Sequence, residues 1–117
     1  MIKELIGRVM QARNCAHLEH WSTGSHAAHQ ALGEFYEGVI PRLDTLVETY
    51  QGAFGKVGRV ELLPHSSKKC VALLGEQALW MGEHRDAICK DIEALENLLD
   101  ELVSLYLKTL YKLKELS

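Results

Sequence analysis

Apolar residues recur along this chain at steps of three and four, the period of an amphipathic helix, in four long segments. From Ile2 to about Trp21 they are Leu5, Ile6, Val9, Ala12, Ala16 and Leu18. From His26 to about Gln51 they are Leu32, Phe35, Tyr36, Val39, Leu43, Leu46, Val47 and Tyr50. A third segment begins near Ser67 with Val71, Leu74, Ala78, Leu79 and Met81, and Ile88 is a candidate extension. The fourth, from Asp91, is the most regular: Leu95, Leu99, Leu102, Tyr106, Leu110 and Leu113.

The punctuation between segments is equally informative. Gly24 suits a left-handed residue just past the first helix, and Ser25 suits the N-cap of the second. Pro41 removes a backbone donor and is expected to kink the second helix near Glu37 and Gly38 without ending it, because the apolar stripe keeps its phase. The break between the third and fourth helices falls within 82–91, with Asp86 and Asp91 as alternative N-caps and Asp91 preferred. Gly52, Gly55, Gly58 and Pro64 mark Gly52–Ser67 as a connection. At full extension it reaches about 50 Å, against roughly 40 Å for the second helix, so it can run back along a whole bundle. A short first hairpin followed by a long crossover predicts an all-α, ferritin-like, up-down four-helix bundle. The 117 residues are expected to form one domain.

Composition narrows the setting. Apolar residues make up 47%, charged residues 25%, and the formal net charge is −3, so nothing in the totals draws the chain to nucleic acid or anionic membrane. No apolar run approaches the roughly 18 residues of a membrane span. Met1-Ile2-Lys3-Glu4 lacks a signal-peptide pattern. Cys15, Cys70 and Cys89 are odd in number and form no Cys-x-x-Cys, which fits free thiols in a reducing cytoplasm. Cytoplasmic residence is therefore expected.

The candidate chemistry lies at the first hairpin. Four of six histidines, His17, His20, His26 and His29, fall in two His-x-x-His pairs around Trp21-Ser22-Thr23-Gly24-Ser25. Asp44 and Glu48 follow on the second helix. With His29 as zero on a wheel of about 100° per residue, His26 and Asp44 fall at about +60°, Glu37 at about +80° and Glu48 at about +100°, a polar stripe along one border of the apolar face. Histidine and carboxylate at helical spacing are ligands for iron or zinc; a solvated helix flank gives the same stripe. His29 and Asp44 are fifteen residues apart, about 22 Å along a helix. One ion cannot span them within a chain. A shared ion requires a second subunit, so a homodimer or higher homo-oligomer through the first two helices is expected, with antiparallel two-fold pairing creating two equivalent sites.

His20-Trp21 before a turn, then His29, then Asp44-Thr45-Leu46-Val47-Glu48, resembles the Dps branch of the ferritin superfamily over about half the chain. The resemblance implies a ferroxidase site between subunits, with His20, His29, Asp44 and Glu48 as ligands. Gly33 stands where the Dps pattern has Asp, and the turn is three residues shorter, which brings in His17 as the alternative ligand from the first helix. Glu34 and Glu37 are the alternatives to the missing Asp. No Lys-rich N-terminal tail supports DNA coating, and Lys108, Lys112 and Lys114 instead complement a helix dipole. A broader likeness, carried by Ser25–Tyr36, Val47–Gly52 and Thr109–Leu113, is to small proteins encoded by tailed phages. It implies a small ferritin-like fold in a phage setting, hence the host cytoplasm, and names no activity.

Of the other residues, Trp21 and Trp80 are expected as core or interface anchors, Cys15 as a small buried residue, and His84 as part of a charged helix end. No Ser or Cys has a visible triad partner. Two functions are thus expected as alternatives: an intersubunit site for iron or zinc, with ferroxidase activity left open by Gly33, or a non-enzymatic phage accessory or structural protein whose bundle contacts phage or host proteins.

Overall fold

The computed structural model describes residues 1–116 and contains five helices: α1 (Ile2–Ser22), α2 (His26–Phe54), α3 (Cys70–Glu83), α4 (Arg85–Cys89) and α5 (Glu93–Glu115). No strand occurs among the described residues. The molecule measures 44 × 25 × 22 Å. Its long axis matches the roughly 44 Å expected of a 29-residue helix, so α2 alone spans the bundle.

α1 packs on α2 and α3, and α5 packs on the same two, which leaves α1/α5 and α2/α3 as the diagonals. Contacts fix the directions. Lys112 of α5 reaches Glu34 near the start of α2 (2.8 Å), while Lys90, just before α5, reaches Tyr50 near the end of α2 (3.1 Å), so the two helices are antiparallel. Gln77 of α3 bonds the Arg8 carbonyl, and the Cys70 amide bonds Glu19, so α3 and α1 are also antiparallel. α2 and α3 therefore run the same way, opposite to α1 and α5. The chain between α2 and α3 must return the length of the bundle, and it does so along α1. The Lys3 ammonium lies near Gly58, the Gln11 amide donates to the Pro64 carbonyl (3.0 Å), and the Cys15 thiol lies 3.7 Å from the Lys68 carbonyl.

The core is built from the expected stripes with local corrections. Leu5, Val9, Leu32, Phe35, Leu43, Leu99, Leu102 and Tyr106 are fully buried, and the Phe35 and Tyr106 rings meet edge to face at 5.0 Å. Leu18 and Leu79, expected inside, are largely exposed, and Leu73 and Gln77 take the inward positions of α3. α3 is shared by two neighbours, and its inward face follows Cys70, Leu73, Leu74, Gln77 and Met81, a stripe that periodicity misses because a polar residue sits in its middle.

The helix ends also depart from expectation. Ser25 is the α2 N-cap, accepting from the Ala28 amide (3.2 Å). Gly24 does not take the left-handed shape. Thr23 is extended instead, and its hydroxyl accepts from the Ser25 amide (3.2 Å). α2 runs unbroken through Pro41 and continues past Gln51 to Gly55, whose φ of +95° ends it. Within 82–91 the chain forms the short α4 rather than a simple break. Arg85 grips Asp100 with two 2.9 Å bonds, fastening α4 to α5. Asp91 is not a cap: Lys90 and Asp91 turn the chain with φ of 51° and 64°, and Ile92 precedes α5. α3 begins at Cys70 rather than near Ser67, because Glu19 of α1 caps it from outside by accepting the Cys70 amide (3.0 Å).

A chain of buried polar groups crosses this core. The Tyr106 hydroxyl donates to Gln77 Oε1 (2.7 Å), while Gln77 Nε2 donates to the Arg8 carbonyl (2.7 Å) and to Gln11 Oε1 (3.3 Å). Burial pushes the Tyr106 phenol above its ordinary pKa of 10.0. Tyr106→Phe strands the inward Gln77 oxygen and is expected to lower unfolding stability by about 1–2 kcal/mol in urea titration at neutral pH. The raised pKa adds a pH signature. Stability is full below the unfolded value of about 10 and falls above it, since only the unfolded chain then ionises Tyr106. The variant should lose less stability than wild type between neutrality and alkaline pH; equal losses would contradict the buried, neutral phenol.

Candidate functional site

The Thr23–Ser25 turn sets the last turn of α1 beside the first of α2, and His20 faces His29 across it. Their rings stack with centroids 3.7 Å apart and planes 17° from parallel. Each ring bonds the other residue's backbone: His20 Nδ1 lies 2.6 Å from the His29 carbonyl, and His29 Nδ1 lies 2.8 Å from the His20 carbonyl. A carbonyl only accepts, so both Nδ1 atoms carry protons. In the neutral rings the lone pair therefore sits on Nε2, and neither Nε2 has a hydrogen bond among the described residues. The His20 carbonyl belongs to the final turn of α1, where helical donors run out, so the bond from His29 also caps α1.

Gly33 makes this clasp fit. A Cβ at that position would lie 3.1 Å from Cε1 and 3.3 Å from Nδ1 of His20. The His20 imidazole thus occupies the space over α2 where the Dps pattern has an aspartate. Beside it, His17 stacks on Tyr36 (4.0 Å, 12°) and tilts against Trp21 (4.5 Å), and the Arg13 guanidinium lies 5.3 Å from the Tyr36 ring centre. Partial desolvation, aided by Arg13 and His20, holds the His17 imidazole below its ordinary pKa of 6.5, with Glu37 opposing. Trp21 is not a core anchor: it is 68% exposed, at the edge of a groove of about 410 Å³ that Leu18, Leu63, Pro64 and His65 also line. Trp80 is half-buried between the Arg8 guanidinium (4.5 Å) and the His84 ring (4.5 Å), and His84 Nδ1 donates to the Trp80 carbonyl (2.8 Å).

The carboxylates expected to join the histidines stand elsewhere. Asp44, Glu48 and Glu37 are exposed on the outer face of α2, and Glu34 is paired with Lys112. By helical rise, Asp44 and Glu48 lie roughly 22 and 28 Å from His29 along the axis. Among the described residues, no three His, Cys, Asp or Glu side chains come together in one chain as metal ligands. His20 and His29 are thus brought together, His17 is diverted into an aromatic stack, and the acidic residues are not joined to them.

Two features escaped sequence reasoning. Cys15 and Cys70 lie face to face in the core, 55 positions apart, with no spacing motif to announce them. Gly33 carried a signal: an isolated glycine inside a helix costs about 1 kcal/mol relative to alanine, which points to a close approach that needs it.

A family of unknown function, DUF5856, matches residues 20–113. No curated protein and no solved structure matches the chain.

The clasp predicts a non-additive mutant cycle. Gly33→Ala should fail to deliver the roughly 1 kcal/mol that alanine ordinarily adds to a helix, because the pinned His20 ring blocks the methyl group. In a His20→Ala background the same substitution should recover that gain. Urea unfolding of the four proteins gives the coupling, and additive values would show that the ring does not rest on Gly33.

Proposed function

The chain belongs to DUF5856, a family of unknown function, and we propose that it is a ferritin-like bundle protein that pairs with a second copy and binds a divalent metal, iron or zinc, at the joint. In this proposal His20 and His29 of one copy supply imidazole nitrogens, and Asp44 and Glu48 of the other supply carboxylates. The run of helix directions, with α2 and α3 parallel across a long crossover, supports the ferritin-like assignment. The observation that carries the metal reading is the tautomer of the clasp. Both histidines donate Nδ1–H to backbone carbonyls, the arrangement that usually orients a metal-ligating imidazole, and both leave Nε2 bare. The two-histidine half-site fits iron or zinc, which accept nitrogen and oxygen ligands.

The residues do not fit a Dps-like ferroxidase. That pattern needs an aspartate at position 33, and the His20 ring excludes any side chain there without moving. The proposal is therefore of binding, and no oxidation step is derived.

A second reading has its own support. Trp21 is exposed, next to His20, and bordered by the exposed Leu18 and Leu63. Pairing that covers the histidine end would also cover this apolar patch, and exposed tryptophans of this kind anchor interfaces. In that reading the same two-copy contact works without metal, as in a structural or accessory protein, and the histidines only staple the hairpin.

Metal titration of chelator-treated protein, followed by sedimentation equilibrium, separates the two. The metal reading expects about one or two zinc or ferrous ions per dimer and their loss in both His29→Ala and Asp44→Ala. A metal-free dimer that Trp21→Ala dissociates supports the second reading. A monomer that binds no ion would remove both.

A further inference from the structure

Outside the hairpin, two thiols from different helices meet in the core. Cys15, in the fourth turn of α1, and Cys70, the first residue of α3, face each other with sulfurs 3.1 Å apart. Both are free thiols, and both are buried. A disulfide has its sulfurs roughly 2.05 Å apart, so closing the bond needs about 1 Å of approach. The surroundings hold the pair in place. Glu19 fixes the Cys70 amide from α1 (3.0 Å), and two turns along α3 Gln77 is anchored to Arg8 and Gln11 of the same helix. The backbones on both sides of the sulfurs are therefore tied to each other by bonds that do not involve sulfur.

The two sulfurs are not equivalent. One S–H proton lies between them, and a hydrogen bond from Cys70 holds the Cys15 thiol below its ordinary pKa of 9.0, while the same bond and burial push the Cys70 thiol up. A neighbouring S–H that stabilises the Cys15 thiolate favours Cys15 as the nucleophile of the pair. Cys15 is 4% exposed and Cys70 0%, so a small reagent approaches from the Cys15 side. Cys89 is as buried as Cys70 but has no thiol opposite it among the described residues. It sits in α4 beyond the far end of α3, and burial pushes its thiol up to about 11.

We propose that Cys15 and Cys70 form an oxidation site that takes a small hydroperoxide and closes to a disulfide joining α1 to the start of α3. Cys15 sulfur attacks an oxygen of the hydroperoxide and the O–O bond breaks. The alkoxide or hydroxide that leaves takes up the Cys15 proton and departs as alcohol or water, and Cys15 becomes a sulfenic acid. Cys70 sulfur then attacks Cys15 sulfur, the S–O bond breaks, and the departing hydroxide takes the Cys70 proton to leave as water. Two thiols lose two protons and two electrons, and one hydroperoxide is reduced to one alcohol, or water, and one water.

Stoichiometric hydrogen peroxide on the reduced full-length chain tests this. Intact mass should fall by about 2 Da. Non-reducing peptide mapping should link the Cys15 and Cys70 peptides, and Cys89 should remain alkylatable after denaturation. The oxidised chain should melt higher by on the order of 10 °C, reversibly with dithiothreitol. In Cys70→Ser, dimedone should trap a sulfenic acid at Cys15; in Cys15→Ser it should trap none. The wild-type mapping stands even if a variant fails to fold. An unchanged mass, a sulfinic acid at Cys15 with no crosslink, or a disulfide through Cys89 would overturn the proposal.

Discussion

The position of the buried Gln77 side chain sets the register of half the bundle. An amide in an apolar core is tolerated only when each of its atoms is satisfied, because an unpaired one forfeits its hydration with nothing in return. Gln77 satisfies its oxygen with Tyr106 of α5 and its nitrogen with the Arg8 carbonyl and Gln11 of α1. Those partners sit at fixed heights on two other helices. A slide of α3 by one turn, roughly 5.4 Å, would break all three bonds, whereas leucines at the same positions could re-pair with other leucines. From that register the rest of the α1/α3 seam follows. Arg8 comes to lie over Trp80, Cys70 meets Cys15, and Glu19 reaches the first amide of α3.

The same seam determines how the crossover lies. Because α3 starts beside the end of α1, the chain leaving α2 at Gly55 has to travel the whole bundle before Cys70. It follows the outer face of α1 through Gly58, Pro64 and Lys68, and its bonds to α1 are few: the Gln11 amide on Pro64 and the Cys15 thiol on Lys68. Its exposed Leu62 and Leu63 show that it covers α1 without being buried itself. The crossover is thus held along its length by Val57 and Val60 packing on the core and by the Gln11–Pro64 bond, and at its end by the cysteine end of α3. The chemistry of the thiol pair consequently bears on the one long irregular segment of the fold.

Most of the fold was legible because helix periodicity records which face is buried. α5, with its unbroken Leu95–Leu110 stripe, was readable to within two residues. α3 was read less well for a physical reason: its key inward residue is polar, and a glutamine that pairs with a tyrosine 29 residues further along the chain looks, in one dimension, like a surface residue. The turn at Lys90 and Asp91 falls inside the expected 82–91 break, but its form was not legible, because two non-glycine residues in the left-handed region, supported by the Lys90 ammonium over the Tyr50 and Phe54 rings, follow no turn signature. At the hairpin, the placement of His20 and His29 at the same end of the bundle was legible from the short turn between the first two helices. The form of their contact was not, because reciprocal bonds to backbone carbonyls depend on a 2.6–2.8 Å fit that only the folded turn defines.

Gly33 ties these strands together. In a helix as long as α2 a glycine is a weak point, and it persists here where the His20 ring rests. The ring can rest there only in the clasped tautomer, which turns both Nδ1 atoms inward and both Nε2 atoms away from the backbone. One small residue therefore does two opposed things. It removes the position from which a third ligand could reach an ion beside the histidines of its own chain, and it leaves two unsatisfied ring nitrogens at an exposed end of the bundle. Among the described residues no group bonds these nitrogens, so water, or a second molecule brought up against the hairpin, is what they face. The exposed Trp21 one residue away makes the second of these the physically richer contact, since it couples burial of an aromatic ring to satisfaction of the imidazoles.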